Sequence, residues 1–188
     1  MPRIGVLASS ITLLAAVALI RLQGSGRSSY SSAEFHYTLE VPSRWNIDIN
    51  GPIPVLFNFK RSEGGPQGLF PDHGAEISLI PLAGVQVVVS AGTMDEWIGK
   101  NLGSDHSAVS IKRLPAGRTD ESTPRDVVEV EADFQRAPEE DLQHETNYYF
   151  ALRGALFRLR MLYWKDDSRA AGHRLACLSV LHSIHAAK

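Results

Sequence analysis

Arg158 and Arg160 stand at alternate positions in the run Ala155–Trp164, whose other parity is Phe157, Leu159, Met161 and Tyr163. In an extended strand that period puts both guanidinium groups on one face and the apolar side chains on the other. Paired guanidinium forks recognise carboxylates and phosphates. The pair, with Tyr149 or Trp164 beside it, is therefore a candidate strip for an acidic partner or ligand. Glu129, Glu131 and Asp133 recur with the same period. Cross-strand pairing of these acids with the arginines, worth ~0.2–1 kcal/mol per pair, is the competing use.

Other chemistry-bearing residues lack the company that their chemistry needs. His182 and His185 sit three apart near the C-terminus, and His173 lies nine residues before His182. Two histidines on one helical face still need further ligands to hold a transition metal, and a helix C-terminus attracts histidine through its dipole alone. Cys177, the single cysteine, falls on an apolar helical stripe and reads as a small buried hydrophobe, since reactive thiols need an exposed, electropositive setting. No Gly-x-Ser-x-Gly elbow occurs. Glu139-Glu140-Asp141 lacks the alternating ligands of a calcium loop, and Gly64-Gly65-Pro66-Gln67-Gly68 precedes no Lys-Ser/Thr. The expectation is no catalytic residue, no metal and no cofactor.

The elements that would position the arginines alternate with period two. Phe35, Tyr37, Leu39 and Val41 form one such run, Trp45, Ile47 and Ile49 a second, and Val55, Phe57 and Phe59 a third. Asn50-Gly51 gives a turn signal between the last two. Ala75–Ile80 and the apolar Val85–Val89 read as further strands. Val128–Phe134, Glu145–Leu152 and Leu156–Trp164 read as an antiparallel meander, with a turn at Arg153-Gly154-Ala155. Thr93-Met94-Asp95-Glu96 has the form of a capping box. It opens a helix whose stripe is Met94, Trp97, Ile98 and Leu102, with Trp97 at the centre of the buried face. Asp166, Asp167 and Ser168 open the last helix, in which Cys177, Val180, Leu181 and Ile184 share one face.

Residues 1–29 stand apart. Arg3 precedes the uncharged run Ile4–Ile20, the pattern of an export signal. Ala16-Val17-Ala18 supplies small residues for cleavage. Seventeen uncharged, mostly apolar residues also approach the length of a membrane anchor, so residues 4–20 are the expected membrane contact if they stay uncleaved. Gln23–Ser29 has linker composition. The chain is thus expected to work outside the cytoplasm, periplasmic or secreted, with one folded domain over residues 30–188. That domain holds 16 Lys and Arg against 21 Asp and Glu, a formal charge of −5, which gives no electrostatic reason to bind nucleic acid.

The order Phe35-His-Tyr-Thr-Leu-Glu-Val-Pro-Ser-Arg-Trp45, then Thr93-Met-Asp-Glu-Trp97, then Tyr148–Trp164 and a terminal helix with Leu178-Ser-Val-Leu-His-Ser-Ile184 resembles the PsbP/Mog1-like group of exported α/β/α sandwich proteins. The resemblance spans most of Phe35–Ile184 and rests on packing positions. It implies an α+β fold, an antiparallel sheet with helices packed on it, and partner-binding or assembly roles.

The function expected from these readings is a non-catalytic binding or assembly module of the cell envelope with a protein partner. A small hydrolase built from scattered polar residues and a small-ligand carrier lined by Tyr148, Tyr149, Phe150, Phe157, Tyr163 and Trp164 are the alternatives. A deep pocket with convergent polar groups would favour the enzyme.

Overall fold

The computed structural model describes residues 19–22, 28–51, 53–60, 73–82, 91–103, 106–115, 120–135 and 141–187. Among these residues, two antiparallel sheets and two helices make up an α+β fold. The larger sheet contains β4 (Asn46–Asp48), β5 (Val55–Phe57), β6 (Ala75–Pro81), β7 (His106–Arg113), β8 (Arg125–Phe134), β9 (Gln143–Leu152) and β10 (Ala155–Trp164), in the order β4-β5-β6-β10-β9-β8-β7. The smaller contains β1 (Leu19–Leu22), β2 (Ser28–Ser32), β3 (Tyr37–Val41) and β11 (His185–Ala186), in the order β1-β2-β3-β11.

The long meander folds as its alternation dictates. Arg153 and Gly154 both take left-handed backbone angles, φ 48° and 77°, and this two-residue turn matches the twist of the flanking strands. The turn fixes the register of β9 on β10, so Tyr149 faces Arg158 and Asn147 faces Arg160. Because the period is two, that register decides which side chains share a face.

Helices cover both faces. Helix α2 (Ala170–Ser183) buries His173, Cys177, Val180 and Leu181 in the main core with Tyr148, Phe150, Leu159, Met161 and Tyr163. The small sheet adds Tyr37, Leu39 and Val41 to that core, and Tyr37 meets Phe157 edge-on at 5.8 Å. Helix α1 (Ala91–Asn101) covers part of the opposite face, where Met94 and Ile98 pack on Val128, Val130, Tyr149 and Leu156.

Several sequence expectations need correction. Helix α1 begins at Ala91, so Thr93 lies within its first turn rather than at the cap. Trp97 is half-buried, at the margin of its cluster, while Met94 and Ile98 fill the centre. In β5 it is Leu56 that enters the main core, with Val55 and Phe57 half-buried on the other face. Ser28–Ser32, read in part as linker, is a strand, and Leu19–Leu22, which includes the end of the uncharged run, pairs with it. The rest of the proposed export segment, the strand expected over Val85–Val89 and the Gly64–Gly68 loop lie outside the described residues. Among the described residues no helix is long and apolar enough to cross a membrane.

Candidate binding site

The four residues singled out from the sequence share one face of the large sheet, the one that α1 packs on. Tyr149 and Arg158 are direct register partners, and Arg160 lies one alternation along. Trp164 is four residues beyond Arg160, ~13 Å along an extended strand, so it does not join the group. Glu129, Glu131 and Asp133 face the other way: Glu129 is opposite Tyr148, which is opposite Leu159. Cross-strand pairing of these acids with Arg158 and Arg160 is therefore ruled out by parity.

Arg160 has a different partner. Its Nε and one terminal nitrogen donate to Glu145 Oε2 at 2.9 and 2.6 Å. Asn147 Nδ2 donates to Glu145 Oε1 at 2.6 Å, and His106 Nε2 lies 4.0 Å from Oε2. Glu145 and Asn147 are each only 2% exposed, so the arginine neutralises a carboxylate that water barely reaches. Burial pushes the Tyr149 hydroxyl up, and the Arg158 guanidinium, which hydrogen-bonds it, opposes the shift only in part. Both arginines of the strip are thus engaged within the fold.

The acids of β8 are held from the other side. Arg174 of α2 binds Glu129 Oε1 and Oε2 at 3.0 and 2.9 Å and also bonds Glu131. Lys165 and His144 bond Asp133 at 2.7 and 3.1 Å. Cys177 is fully buried beneath this layer, and burial raises its thiol pKa well above the usual range. Such a thiol is a packing group rather than a nucleophile.

A second polar cluster, not singled out from the sequence, lies where α2 begins. Ala75 N–H donates to Asn58 Oδ1 at 2.8 Å, which orients that amide. Asn58 Nδ2 then donates to His173 Nδ1 at 3.2 Å, and His173 Nε2 bonds Asp167 Oδ2 at 2.8 Å. With Nδ1 facing the Asn58 amide, Nε2 is the ring nitrogen that donates to Asp167. Asp167 Oδ1 accepts from the Arg169 amide at 2.7 Å and from His73 Nδ1 at 3.2 Å. Burial pushes the Asp167 carboxyl up, but the Arg169 amide and the two histidines outweigh it and hold the pKa below its ordinary value.

Beside this cluster is an open groove of about 480 Å³, lined by Arg44, Trp45, Asn58, Arg169 and His173 among others. Its walls come from the turn between β3 and β4 and from the start of α2. Pro42 and Ser43 break the strand, and Trp45 N–H bonds Pro42 O at 3.1 Å to close the turn. Arg44 takes a left-handed φ of 69°, a conformation that costs an L-residue roughly 1–2 kcal/mol. The Trp45 ring stands nearly perpendicular to His173, with centroids 6.4 Å apart. Arg44 and Arg169 are exposed, and among the described residues their guanidinium groups form no ion pair.

The histidine pair expected near the C-terminus does not share a helix. Helix α2 stops at Ser183, Ile184 is extended, and His185 enters β11 with Nε2 2.7 Å from Thr38 Oγ1. Among the described residues no three His, Cys, Asp or Glu side chains group as metal ligands. Asp141 is exposed, and Glu139 and Glu140 lie outside the described residues.

No family model and no curated protein matches the chain. Among solved structures it is similar to LpqN, described as involved in cell envelope biogenesis of Mycobacterium tuberculosis. The TM-score is 0.49 and the identity 13%, over 92% of this chain and 91% of that one. It is also similar to a protein of Bacteroides thetaiotaomicron VPI-5482, with TM-score 0.48 and identity 12% over 85% of this chain. The chain spans about half, 48%, of that protein's length.

Proposed function

We propose that the chain is a non-catalytic binding module that works outside the cytoplasm, an α/β/α sandwich of the PsbP/Mog1-like type that docks a protein partner. Arg3 and the uncharged run Ile4–Ile20 support export, with the segment either cleaved or kept as an anchor. The helix–sheet–helix layering and the strand pattern from Tyr37 onward support the sandwich.

The observation that carries the binding reading is the groove at the start of α2. Its rim offers two arginines without ion pairs among the described residues and a tryptophan. The imidazole in its wall has both nitrogens bonded, which suits a bracing role better than that of a general base. The groove takes over from the Arg158–Arg160 strip as the docking surface, because Arg160 is committed to Glu145 and Arg158 to Tyr149.

Two measurements test this. An epitope after Lys188 should fractionate outside the cytoplasm. A photo-crosslinker at position 44 in intact cells should trap one discrete protein that the same probe at the distant Arg153 does not. Turnover of an ester or glycoside by the purified chain, lost in a folded His173→Gln variant, would instead support the hydrolase.

A further inference from the structure

We infer that the groove at the start of α2 captures the free C-terminal carboxylate of a peptide chain, with Arg44 and Arg169 on the carboxylate and Trp45 against the last side chain. The inference rests on the binding reading above and names what the groove receives.

Three observations lead to it. First, Arg44 and Arg169 line one groove from separate elements, the turn after β3 and the residue preceding α2. Planar guanidinium forks match carboxylates through paired hydrogen bonds, and neither is spent on an acid among the described residues. Second, the groove is small. Its 480 Å³ falls in the range of ~300–1,000 Å³ typical of small-ligand sites. A flat protein interface, by contrast, covers ~800 Å² on each partner. An extended chain end fits such a space where a folded surface does not. Third, the cations lie next to an aromatic wall. A C-terminal residue carries a carboxylate and a side chain on the same carbon, so it satisfies both features with one anchor, and terminal carboxylate capture is a recurrent mode of peptide recognition. The Asp167–His173–Asn58 chain holds the α2 wall in place, because it ties the start of α2 to the segment after β5. That bracing reduces the ordering cost when a ligand binds.

Gly172 provides a clean control. It lines the groove, it is helical, and a Cβ built on it meets nothing within 4 Å. A leucine there adds bulk at the groove, and its Cβ enters open space.

The experiment titrates the full chain with the pentapeptides Gly-Ala-Ser-Ala-Leu and Gly-Ala-Ser-Ala-Phe, each as free acid and as C-terminal amide, by calorimetry and NMR. Glucuronate and inorganic phosphate are run alongside. The acids should bind at least about tenfold more tightly than the amides. Arg44→Gln and Arg169→Gln should each weaken the acids about tenfold, and Gly172→Leu should abolish binding without lowering the melting temperature. Equal binding of acid and amide, or no saturable shift up to about 1 mM peptide, would overturn the inference. So would tighter binding of phosphate or glucuronate than of the peptide acids, which would make the groove a general anion site. Loss of peptide binding with the position-44 crosslink retained removes only the chain-end assignment, whereas loss of both removes the docking reading as well.

Discussion

Arg174 on α2 grips both oxygens of Glu129 on β8 with one terminal nitrogen, at 3.0 and 2.9 Å, while its other terminal nitrogen bonds Glu131. Glu129 is 5% exposed, so it depends on this partner, and the arginine ties the last helix to the sheet. Arg174→Ala should cost about 1–3 kcal/mol in chemical denaturation, the penalty for a buried charged group that loses its partner. Arg174→Lys should recover only part of the loss, because an ammonium cannot span two carboxylates as a planar fork does. A midpoint unchanged in Arg174→Ala would show that the pairing contributes nothing.

Asp167 should shape the acid limb of stability. Its carboxyl is buried, which alone would raise its pKa, but hydrogen bonds from the Arg169 amide, His173 and His73 lower it below the ordinary 3.8. A group with a depressed folded pKa stabilises the fold fully above its unfolded value and loses that contribution as the pH falls through the folded one. Stability should therefore hold above about pH 5 and decline below about pH 4. Asp167→Asn should lower the plateau and flatten part of the decline. Asp133 is depressed as well, against its own desolvation, by Lys165 and His144, so some slope should survive in the single variant. Denaturant midpoints from pH 7 downward check this, and an unaltered slope in Asp167→Asn would count against it.

Tyr37 separates packing from hydrogen bonding. Its ring is fully buried, edge-on to Phe157 at 5.8 Å and tilted against Tyr30 at 6.1 Å. Among the described residues its buried hydroxyl makes no hydrogen bond of ordinary geometry, Tyr30 and Ser32 being the polar groups that interact with it. Tyr37→Phe should be neutral or mildly stabilising, since it removes a polar atom whose desolvation is not repaid. Tyr37→Ala should cost roughly 3–5 kcal/mol through the cavity it leaves. A marked loss in the phenylalanine variant would reveal a partner for the hydroxyl.

Much of the large sheet can be read from the chain because its strands bury one face at a time. Ala155–Trp164 alternates without a break, and Arg153-Gly154 supplies the turn that sets its register. Where burial is not one-sided, the signal fails. Strand β7 is exposed along seven of its eight residues, so its short alternation Val109-Ser110-Ile111-Lys112 marks no buried face. In β5 the apolar residues at both parities let Val55 and Phe57 hide the one that enters the core, Leu56. The groove was illegible for another reason: Arg44, Trp45, Asn58 and Arg169 come from three separate segments, and no local spacing links them. His173 did carry a hint, since it precedes Cys177 by one turn and belongs to the same buried stripe. A polar residue on such a stripe needs a buried partner, and Asp167, just before the helix, is the nearest carboxylate in sequence that proves buried.

The arginine strip yields a direct test of its internal pairing. Arg160 and Glu145 form a pair in which the carboxylate is 2% exposed and the guanidinium 27%. Breaking a buried pair from one side leaves an uncompensated charge and typically costs ~3–5 kcal/mol, whereas replacing both partners with neutral groups of similar size is far less costly. Arg160→Met alone should therefore be strongly destabilising, because Asn147 and His106 cannot replace two guanidinium bonds to Glu145. Glu145→Gln introduced into that variant should restore much of the stability. The coupling, read from urea denaturation of the two single variants and the double, should exceed ~1 kcal/mol, beyond the range in which independent sites simply add. Additive effects would mean that Glu145 does not depend on Arg160 for its charge, and Arg160 would then return to the list of residues available for a partner.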